Sequence, residues 1–339
     1  MSNPETVHTI VTYRCNSRCT YCSIWKKGEN EKKKELTNEE IKKIFSDTIL
    51  SKAKYVSLTG GEPFLRDDIT GLIRFFVSKG KHLSINTNGL LTDLILEKLK
   101  EVQDIKDKIH IGISIDGKEK THNKLRGIKN AYKKSIDTIE GLKRLGFKVS
   151  ISFTIGPNNF KDLLYVYDLS KKYNVGFAMR PVQICKYYNN TDRTFVFKKN
   201  DILEIKKSID KILHDQITFK RRKNFMKFFD INLVFWDNIV NYIEGKPLKT
   251  KCYALRKFLF LDPYGNILAC PNIITKYNIR NSCFSEKWKS KDFKKLQKDV
   301  SELKLCAYCW NDCAIGSNLM EAPFKTTKNA FQTLRKLSK

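Results

Sequence analysis

The chain has 339 residues, of which 41% are hydrophobic and 29% charged, and it carries a formal net charge of +28. No apolar run approaches the roughly 18 residues that a helix needs to cross a bilayer, so no membrane-spanning helix is expected. Residues 1–5 show no signal-like pattern, so we expect a cytoplasmic protein whose ten cysteines are reduced.

The chain begins as a repeat of strand-like and helix-like segments, spaced by roughly 30 residues as in successive βα units. We predict strands near 7–13, 54–59, 82–87, 109–115, 148–155 and 175–182. The matching helices are predicted near 38–50, 68–79, 91–101, 130–145, 160–173 and 200–214.

Four of the predicted strands, 54–59, 82–87, 109–115 and 148–155, have one apolar face and one small or polar face. In the segment 109–116 four isoleucines alternate with His110, Gly112, Ser114 and Asp116. A parallel sheet covered on both faces would be continuously apolar, so helices should cover only the outer face. The small, polar inner face predicts an incomplete barrel around a polar ligand, because side chains fill the interior of a closed eight-stranded barrel. The alternative is an antiparallel sheet with one face in solvent, which the intervening helices disfavour.

The regular alternation of strand-like and helix-like segments ends after about residue 216, and we interpret this position as a domain boundary. A basic segment precedes a helix predicted near 232–244, and strands at 258–261 and 267–270 flank the turn of a predicted hairpin. The predicted units are a core (1–215), a basic linker with a helix (216–250), a small cysteine-rich domain (251–316) and a basic tail (317–339), whose last part is a predicted packing helix.

The first cysteine group, Cys15, Cys19 and Cys22, directly follows the first predicted strand, at the carboxyl end of the sheet. Three thiolates on one short loop leave one iron of a four-iron cluster without a protein ligand, and an open coordination position is where metal chemistry happens. A zinc site is the alternative, but zinc would want a fourth ligand, and no histidine or cysteine follows closely.

The C-x3-C-x2-C spacing, with Tyr21 before the last cysteine, resembles the cluster loop of the radical S-adenosylmethionine (SAM) superfamily. Further segments at strand ends are similar to motifs of that family, although each is also compatible with ordinary turn chemistry: Gly60-Gly61-Glu62-Pro63, Asn86-Thr87-Asn88-Gly89, Ser114-Ile115-Asp116-Gly117 and Leu125-Arg126-Gly127. The resemblance covers roughly 7–215 and implies a partial (β/α)6 barrel.

By this resemblance, Cys15, Cys19 and Cys22 bind a SAM-binding [4Fe-4S] cluster and act as the catalytic centre. The glycine-rich motif at Gly60 binds the methionine amino group of SAM. The resemblance also implies that further residues contact the cofactor: Tyr21, Gly61, Glu62, Pro63, Asn86, Asn88, Ser114, Asp116 and Arg126. It implies reductive cleavage of SAM to a 5'-deoxyadenosyl radical, which abstracts hydrogen from a substrate, with a reductant such as flavodoxin or ferredoxin as partner.

The second cysteine group resembles the SPASM and Twitch extensions of radical SAM enzymes, which hold an auxiliary [4Fe-4S] cluster. The resemblance implies Cys252, Cys270, Cys306 and Cys309 as ligands, with Cys313 competing for one place; a zinc ribbon is the structural alternative. No cysteine follows Cys313, so one auxiliary cluster, as in the Twitch form, is expected. We expect Cys185 and Cys283 to be buried free thiols.

Three functions remain open. The first is a radical SAM oxidoreductase acting on a peptide or small polar molecule, with the auxiliary cluster relaying an electron. The second is modification of RNA or a nucleotide, suggested by the charge and by the basic run 220–227, although lysines on solvated helix faces explain much of that charge. The third is a non-catalytic zinc or iron-sulfur protein. Substrate identity and oligomeric state are not readable from these residues.

Overall fold

The computed structural model describes residues 3–30, 34–223, 231–246, 252–302 and 304. Six parallel strands form the core of the fold, and they follow the predicted positions to within two residues. Their bounds are β1 Thr6–Thr12, β2 Tyr55–Gly60, β3 His82–Thr87, β4 Ile109–Ser114, β5 Lys148–Ile155 and β6 Gly176–Pro181.

Helices connect these strands and continue beyond them. Their bounds are α1 Ile24–Asn30, α2 Asn38–Phe45, α3 Ile69–Ser78, α4 Thr92–Lys100, α5 Glu119–Arg126, α6 Ala131–Arg144, α7 Leu163–Lys172, α8 Lys199–Lys223 and α9 Ile231–Ile243. Helices α1 and α5 were not predicted. Both are short: α1 follows the first cysteine group, and α5 follows the segment Ser114-Ile115-Asp116-Gly117. No described helix is long and apolar enough to cross a membrane.

Two predicted helix ends differ from the structure by five or more residues. Helix α2 stops at Phe45, five residues early, because the Ser46 hydroxyl donates to the Lys42 carbonyl and the Asp47 carboxylate accepts from the Ile49 N–H. Those local bonds compete with continued helix. Helix α8 instead runs to Lys223, past the boundary expected near 216.

The sheet has nine strands in the order β6-β5-β4-β3-β2-β1-β7-β8-β9. The last three are β7 Phe258–Leu261, β8 Asn266–Cys270 and β9 Ile273–Asn278, followed by α10 Phe284–Lys289 and α11 Lys291–Ser301. Strand β7 pairs in parallel with β1, while β8 and β9 are antiparallel additions. The predicted hairpin is present, and its first strand extends the same sheet that the core strands form.

The two faces of the strands differ as the alternation predicts. Ile111, Ile113 and Phe153 on the outer face are fully buried in the main hydrophobic core under the helices. On the inner face Asn86 lies beside Gly112, where a Cβ would stand 2.7 Å from the Asn86 Oδ1. A side chain at position 112 would therefore displace the Asn86 amide from its place on the inner face. The result is a partial parallel barrel with helices outside and polar groups inside.

Candidate active site

The first cysteine loop lies at the carboxyl end of β1 and is held by helix α5. The backbone N–H groups of Arg18 and Thr20 donate to the carbonyls of Arg126 and Leu125, at 2.9 and 2.8 Å. The Ser17 hydroxyl donates to the Arg126 carbonyl at 3.0 Å. These bonds satisfy the last carbonyls of the helix, which have no partners within it. The loop and helix therefore form one unit.

Burial determines the protonation of two of the three thiols. It raises the pKa of Cys15 to about 12 and also raises the pKa of Cys22. The Arg126 guanidinium lies 3.7 Å from the Cys19 sulfur, and the Ser17 hydroxyl lies 3.1 Å from it. Both of these thiols stay protonated at neutral pH in the chain alone, so metal binding must release protons as thiolates form.

Three thiols that line one cavity have the chemistry of a ligand set for an iron-sulfur cluster. Among the described side chains, no group of three histidines, cysteines or carboxylates is close enough to hold a single metal ion. A four-iron cluster makes a different demand, because each thiolate binds its own iron and the sulfurs need only face a shared space. The cysteines fit that demand.

The glycines after β2 are required by close backbone contact with the start of the cysteine loop. A Cβ on Gly60 would lie 2.2 Å from the Thr12 carbonyl oxygen, and one on Gly61 would lie 2.0 Å from the Arg14 carbonyl oxygen. Gly60 also has φ +149°, which side chains rarely adopt. The Gly61 N–H donates to the Thr12 carbonyl at 2.8 Å. Both glycines line the cavity beside the thiols.

The carboxylate of Glu62 links the glycine motif to the residues at the end of β3. Its carboxylate is fully buried and accepts hydrogen bonds from the Thr87 hydroxyl at 2.9 Å, the Asn88 N–H at 2.8 Å and the Phe64 N–H at 3.2 Å. Burial raises its pKa to about 7. Neither Glu62 nor Pro63 is among the residues that line the cavity. Within this motif the glycines face the site, and the carboxylate fixes the end of β3.

Asp116 and Arg126 form a buried ion pair at the cavity wall. The carboxylate lies 2.6 Å from the guanidinium, and the two side chains are 6% and 11% exposed. The Thr154 N–H also donates to Asp116, at 3.0 Å, and Asp116 raises the pKa of Arg126 despite burial. The buried Nε of Arg126 has no hydrogen-bond partner among the described residues. That donor fits an anionic group such as the carboxylate of SAM.

The backbone of Asp116 is fixed by a buried histidine that the sequence reasoning did not single out. The Nδ1 of His122 accepts from the Asp116 N–H at 2.9 Å, and the Asn159 amide donates to the Asp116 carbonyl at 2.9 Å. His122 is fully buried, and burial lowers its pKa well below the ordinary value. The imidazole is therefore neutral at physiological pH.

One cavity of about 200 Å³ brings most of the predicted residues together. Besides the three cysteines and the two glycines, its walls include Tyr21, Asn86, Asn88, Ser114, Asp116 and Arg126. The structure adds wall residues that were not predicted: Ser17, Thr59, Thr87, Ser152, Thr154, Arg180, Gln183 and Tyr188. Ser152 and Thr154 belong to the polar face of β5, so the strand alternation could have identified them.

The second cysteine group is only partly described. Cys252 and Cys270 are buried, at 6% and 7% exposure, and Cys270 ends β8. Cys306, Cys309 and Cys313 lie outside the described residues, so their roles stay predictions. Cys185 is buried as expected, at 1% exposure.

The expectation for Cys283 is wrong, because this thiol is exposed. It precedes α10 and lies 3.1 Å from the Asp47 carboxylate and 2.9 Å from the Ser285 hydroxyl. These polar partners at the surface replace the apolar surroundings that we expected for a core thiol.

Comparison with known proteins gives consistent matches. The family model described as Radical SAM superfamily matches residues 9–169. The Fe-coproporphyrin III synthase of Methanosarcina barkeri is 30% identical over 245 residues, which are 70% of this chain and 57% of that protein. The AdoMet-dependent heme synthase of the same organism is 25% identical over 329 residues, 90% of this chain and 88% of that protein. The chain thus spans little more than half of the first relative and most of the second.

Solved structures show the same fold at lower identity. Streptococcus suis SuiB bound to S-adenosylmethionine matches with a TM-score of 0.65 and 18% identity, covering 94% of this chain and 75% of that one. Native anSMEcpe with bound AdoMet matches with a TM-score of 0.62 and 17% identity, covering 98% of both chains.

Proposed function

Since this chain belongs to the radical SAM superfamily, we propose that it is a SPASM/Twitch-type enzyme that abstracts hydrogen from a peptide or small polar substrate. One observation carries the proposal: the three cysteines, the two glycines and the Asp116–Arg126 pair line a single cavity. A [4Fe-4S] cluster held by Cys15, Cys19 and Cys22 would supply, with SAM, the one-electron cleavage that produces a 5'-deoxyadenosyl radical.

The residues of this chain then position SAM and exclude water. The glycines bring backbone close to the thiols and leave room for the amino group of methionine. Arg126 offers its free Nε–H to the carboxylate, while Asp116, whose backbone N–H is bound by His122, holds the guanidinium in place. Asn86, Asn88 and Ser114 supply amide and hydroxyl groups suited to a ribose. This placement is the main contribution of the protein, because the radical chemistry belongs to the cofactor.

The auxiliary cluster is the second part of the proposal. Cys270 ends β8 and Cys252 lies ahead of β7, and both thiols are buried; with Cys306, Cys309 and Cys313 they are the candidate ligands. Five candidate thiols favour full ligation, and a fully ligated cluster would accept or relay an electron instead of binding substrate.

A second substrate class, the tetrapyrroles, rests on the heme synthase relative. That protein aligns over 90% of this chain and 88% of its own length, whereas the PqqA peptide cyclase of Bradyrhizobium diazoefficiens aligns over 49% and 43%. A peptide is nevertheless the substrate class we propose first, and the tetrapyrrole is the direct competitor in any substrate screen.

Anaerobic reconstitution followed by a SAM-cleavage assay tests the proposal. We expect bound iron and sulfide, and 5'-deoxyadenosine after reduction with dithionite. The triple variant Cys15→Ala/Cys19→Ala/Cys22→Ala should cleave no SAM. Cys283→Ala is the control, because this thiol is exposed and is not among the residues that line the cavity, and it should behave as wild type. Bound zinc without iron, and no 5'-deoxyadenosine, would refute the enzyme.

Iron counting on the same variants separates the two clusters. If a second [4Fe-4S] cluster exists, the triple variant should keep about four irons per chain, and Cys252→Ala/Cys270→Ala should lose about the same number. A triple variant free of iron would remove the auxiliary cluster from the proposal and leave the first cluster untouched.

A further inference from the structure

A second cavity, of about 340 Å³, lies where strands β1–β4 begin, at the end of the sheet opposite to the cysteine loop. We call it the amino-end cavity. The lining residues that matter here are His8, Ser57, His82, Ser84, His110 and Arg180. Small-molecule sites in proteins usually measure roughly 300–1,000 Å³, so this space is large enough for a ligand.

Strand register shows how the sequence builds this cavity. Two successive rows of residues, paired from strand to strand, face the same side of the sheet. The first row, across β1–β3, is Thr6, Tyr55 and His82. The second row, across β1–β4, is His8, Ser57, Ser84 and His110. Bulky branched side chains fill the interior of a closed barrel, whereas the short hydroxyl side chains in these rows leave space.

Arg180 gives the amino-end cavity its charge. It enters from β6, where its backbone pairs with Thr154, and it lines both this cavity and the one that the three cysteines line. Arginine stays protonated in proteins. The described lining of the amino-end cavity includes no aspartate or glutamate. A bound group should therefore be an anion.

Hydrogen-bond donors surround the same space. The Asn86 amide donates to the Ser57 hydroxyl at 3.5 Å, so the hydrogen of that hydroxyl can be donated to another acceptor. Desolvation and the nearby Lys148 ammonium lower the pKa of His110. Its imidazole is therefore neutral at physiological pH and carries one N–H donor.

The other two histidines are held by ring contacts. His8 stacks on Phe260 with ring centroids 4.5 Å apart, and His82 stacks on Tyr55 at 5.5 Å. Among the described side chains, no three histidines, cysteines or carboxylates lie close enough together to hold a metal ion. The three imidazoles thus line the cavity as separate polar groups, and a metal site does not explain them.

The charge around this end of the barrel is also positive. At the first position of each of β1–β6, or in the two positions before it, the charged residues are Lys54, Lys81, Lys108, Lys148, Glu5 and Asp107. The Glu5 carboxylate is bound by the Lys257 ammonium at 2.9 Å. Four lysines against two carboxylates attract an anion towards the opening.

We propose that the amino-end cavity is a second ligand site, which binds the phosphate or carboxylate group of a small molecule. The Arg180 guanidinium pairs with the oxyanion, and the hydroxyls of Ser57 and Ser84 and the N–H of His110 donate to it. The site requires neither the iron-sulfur cluster nor SAM, so it goes beyond the proposed function. Because Arg180 and Asn86 line both cavities, a ligand bound here is a neighbour of the SAM cavity.

Proton NMR of the histidine rings tests the proposal, because the chain has only five histidines. Inorganic phosphate and succinate are each titrated into the full chain at neutral pH, with and without reconstituted iron, and sodium chloride keeps the ionic strength constant. We expect saturable shifts of His8, His82 and His110, assigned through single His→Ala variants. His214, which is exposed on α8, should not shift.

Three variants and one control define the site. Arg180→Gln removes the charge and should weaken binding by about tenfold or more. Ser84→Leu fills the space and should also weaken it by about tenfold. His110→Ala changes an exposed residue, so it is the variant with the least effect on folding, and it should weaken binding about threefold to tenfold. The matched control, His214→Ala, should stay within about twofold of wild type.

The anion with the lower dissociation constant shows whether the natural ligand carries a phosphate or a carboxylate. No saturable shift with either anion, or equal shifts at His214, would overturn the proposal, since the attraction would then be absent or non-specific. Unchanged binding by both Arg180→Gln and His110→Ala would overturn it as well. Urea unfolding of each variant checks that a loss of binding is not a loss of fold. Failure of SAM cleavage would refute the proposed function and leave this measurement intact.

Discussion

The ion pair between Asp116 and Arg126 allows a quantitative test of the site architecture. The groups are 2.6 Å apart and nearly buried, and each has few other partners: Asp116 accepts from the Thr154 N–H, and Arg126 lies 3.7 Å from the Cys19 sulfur. Removal of one member leaves the other as a buried, uncompensated charge. Asp116→Asn and Arg126→Gln should therefore each lower the free energy of unfolding by about 3–5 kcal/mol.

The double variant Asp116→Asn/Arg126→Gln should lose clearly less than the sum, because it leaves two neutral groups that can hydrogen-bond to each other. We expect a coupling energy of about 2–3 kcal/mol from urea unfolding of the chain without metal. Arg74 and Asp104 form the matched surface pair, at 3.1 Å and 50% and 61% exposed, and their coupling should stay below about 1 kcal/mol. Strict additivity at the buried pair would refute this account of the cavity wall.

Three further outcomes follow from the structure. His122 is buried neutral and charges on unfolding, so below pH 6.5 wild type should lose up to about 1.4 kcal/mol of stability per pH unit relative to His122→Gln; parallel stability curves would contradict this. Gly61→Ala should prevent iron incorporation, because its Cβ would meet the Arg14 carbonyl oxygen at 2.0 Å, whereas Gly80→Ala, with open space around it and φ +71°, should incorporate iron normally and lose about 1 kcal/mol or somewhat more; iron analysis and urea unfolding compare them. Cys283 should react with a thiol reagent in the folded chain while Cys185 does not, and protection of Cys283 would show that its surface position is wrong.

Much of the core was predictable because it depends on short-range patterns. The alternation in 109–116 specifies which face of β4 is buried, since successive side chains point to opposite faces. The spacing of Cys15, Cys19 and Cys22 places three thiols on one loop, and glycines after β2 indicate close backbone approach. Each inference uses residues within one strand or one turn.

Other features of the site depend on residues far apart in the chain. The Glu62 carboxylate accepts from Thr87 and Asn88, more than 20 residues away, a contact that the glycine motif by itself does not indicate. The Asn159 amide donates to the Asp116 carbonyl from 43 positions further along the chain. The surface location of Cys283 depends on Asp47, which lies on the connection after α2.

The sequence by itself determined the strand periodicity, the helical connections and the cysteine loop, because local alternation and spacing encode them. Only the tertiary structure decided that β7 pairs with β1, with Val7 opposite Leu259, and that Thr154 and Arg180 reach the same cavity as Cys15. Strand pairing and cavity formation come from the packing of segments that are distant in the chain, and no local pattern specifies which distant segments will meet.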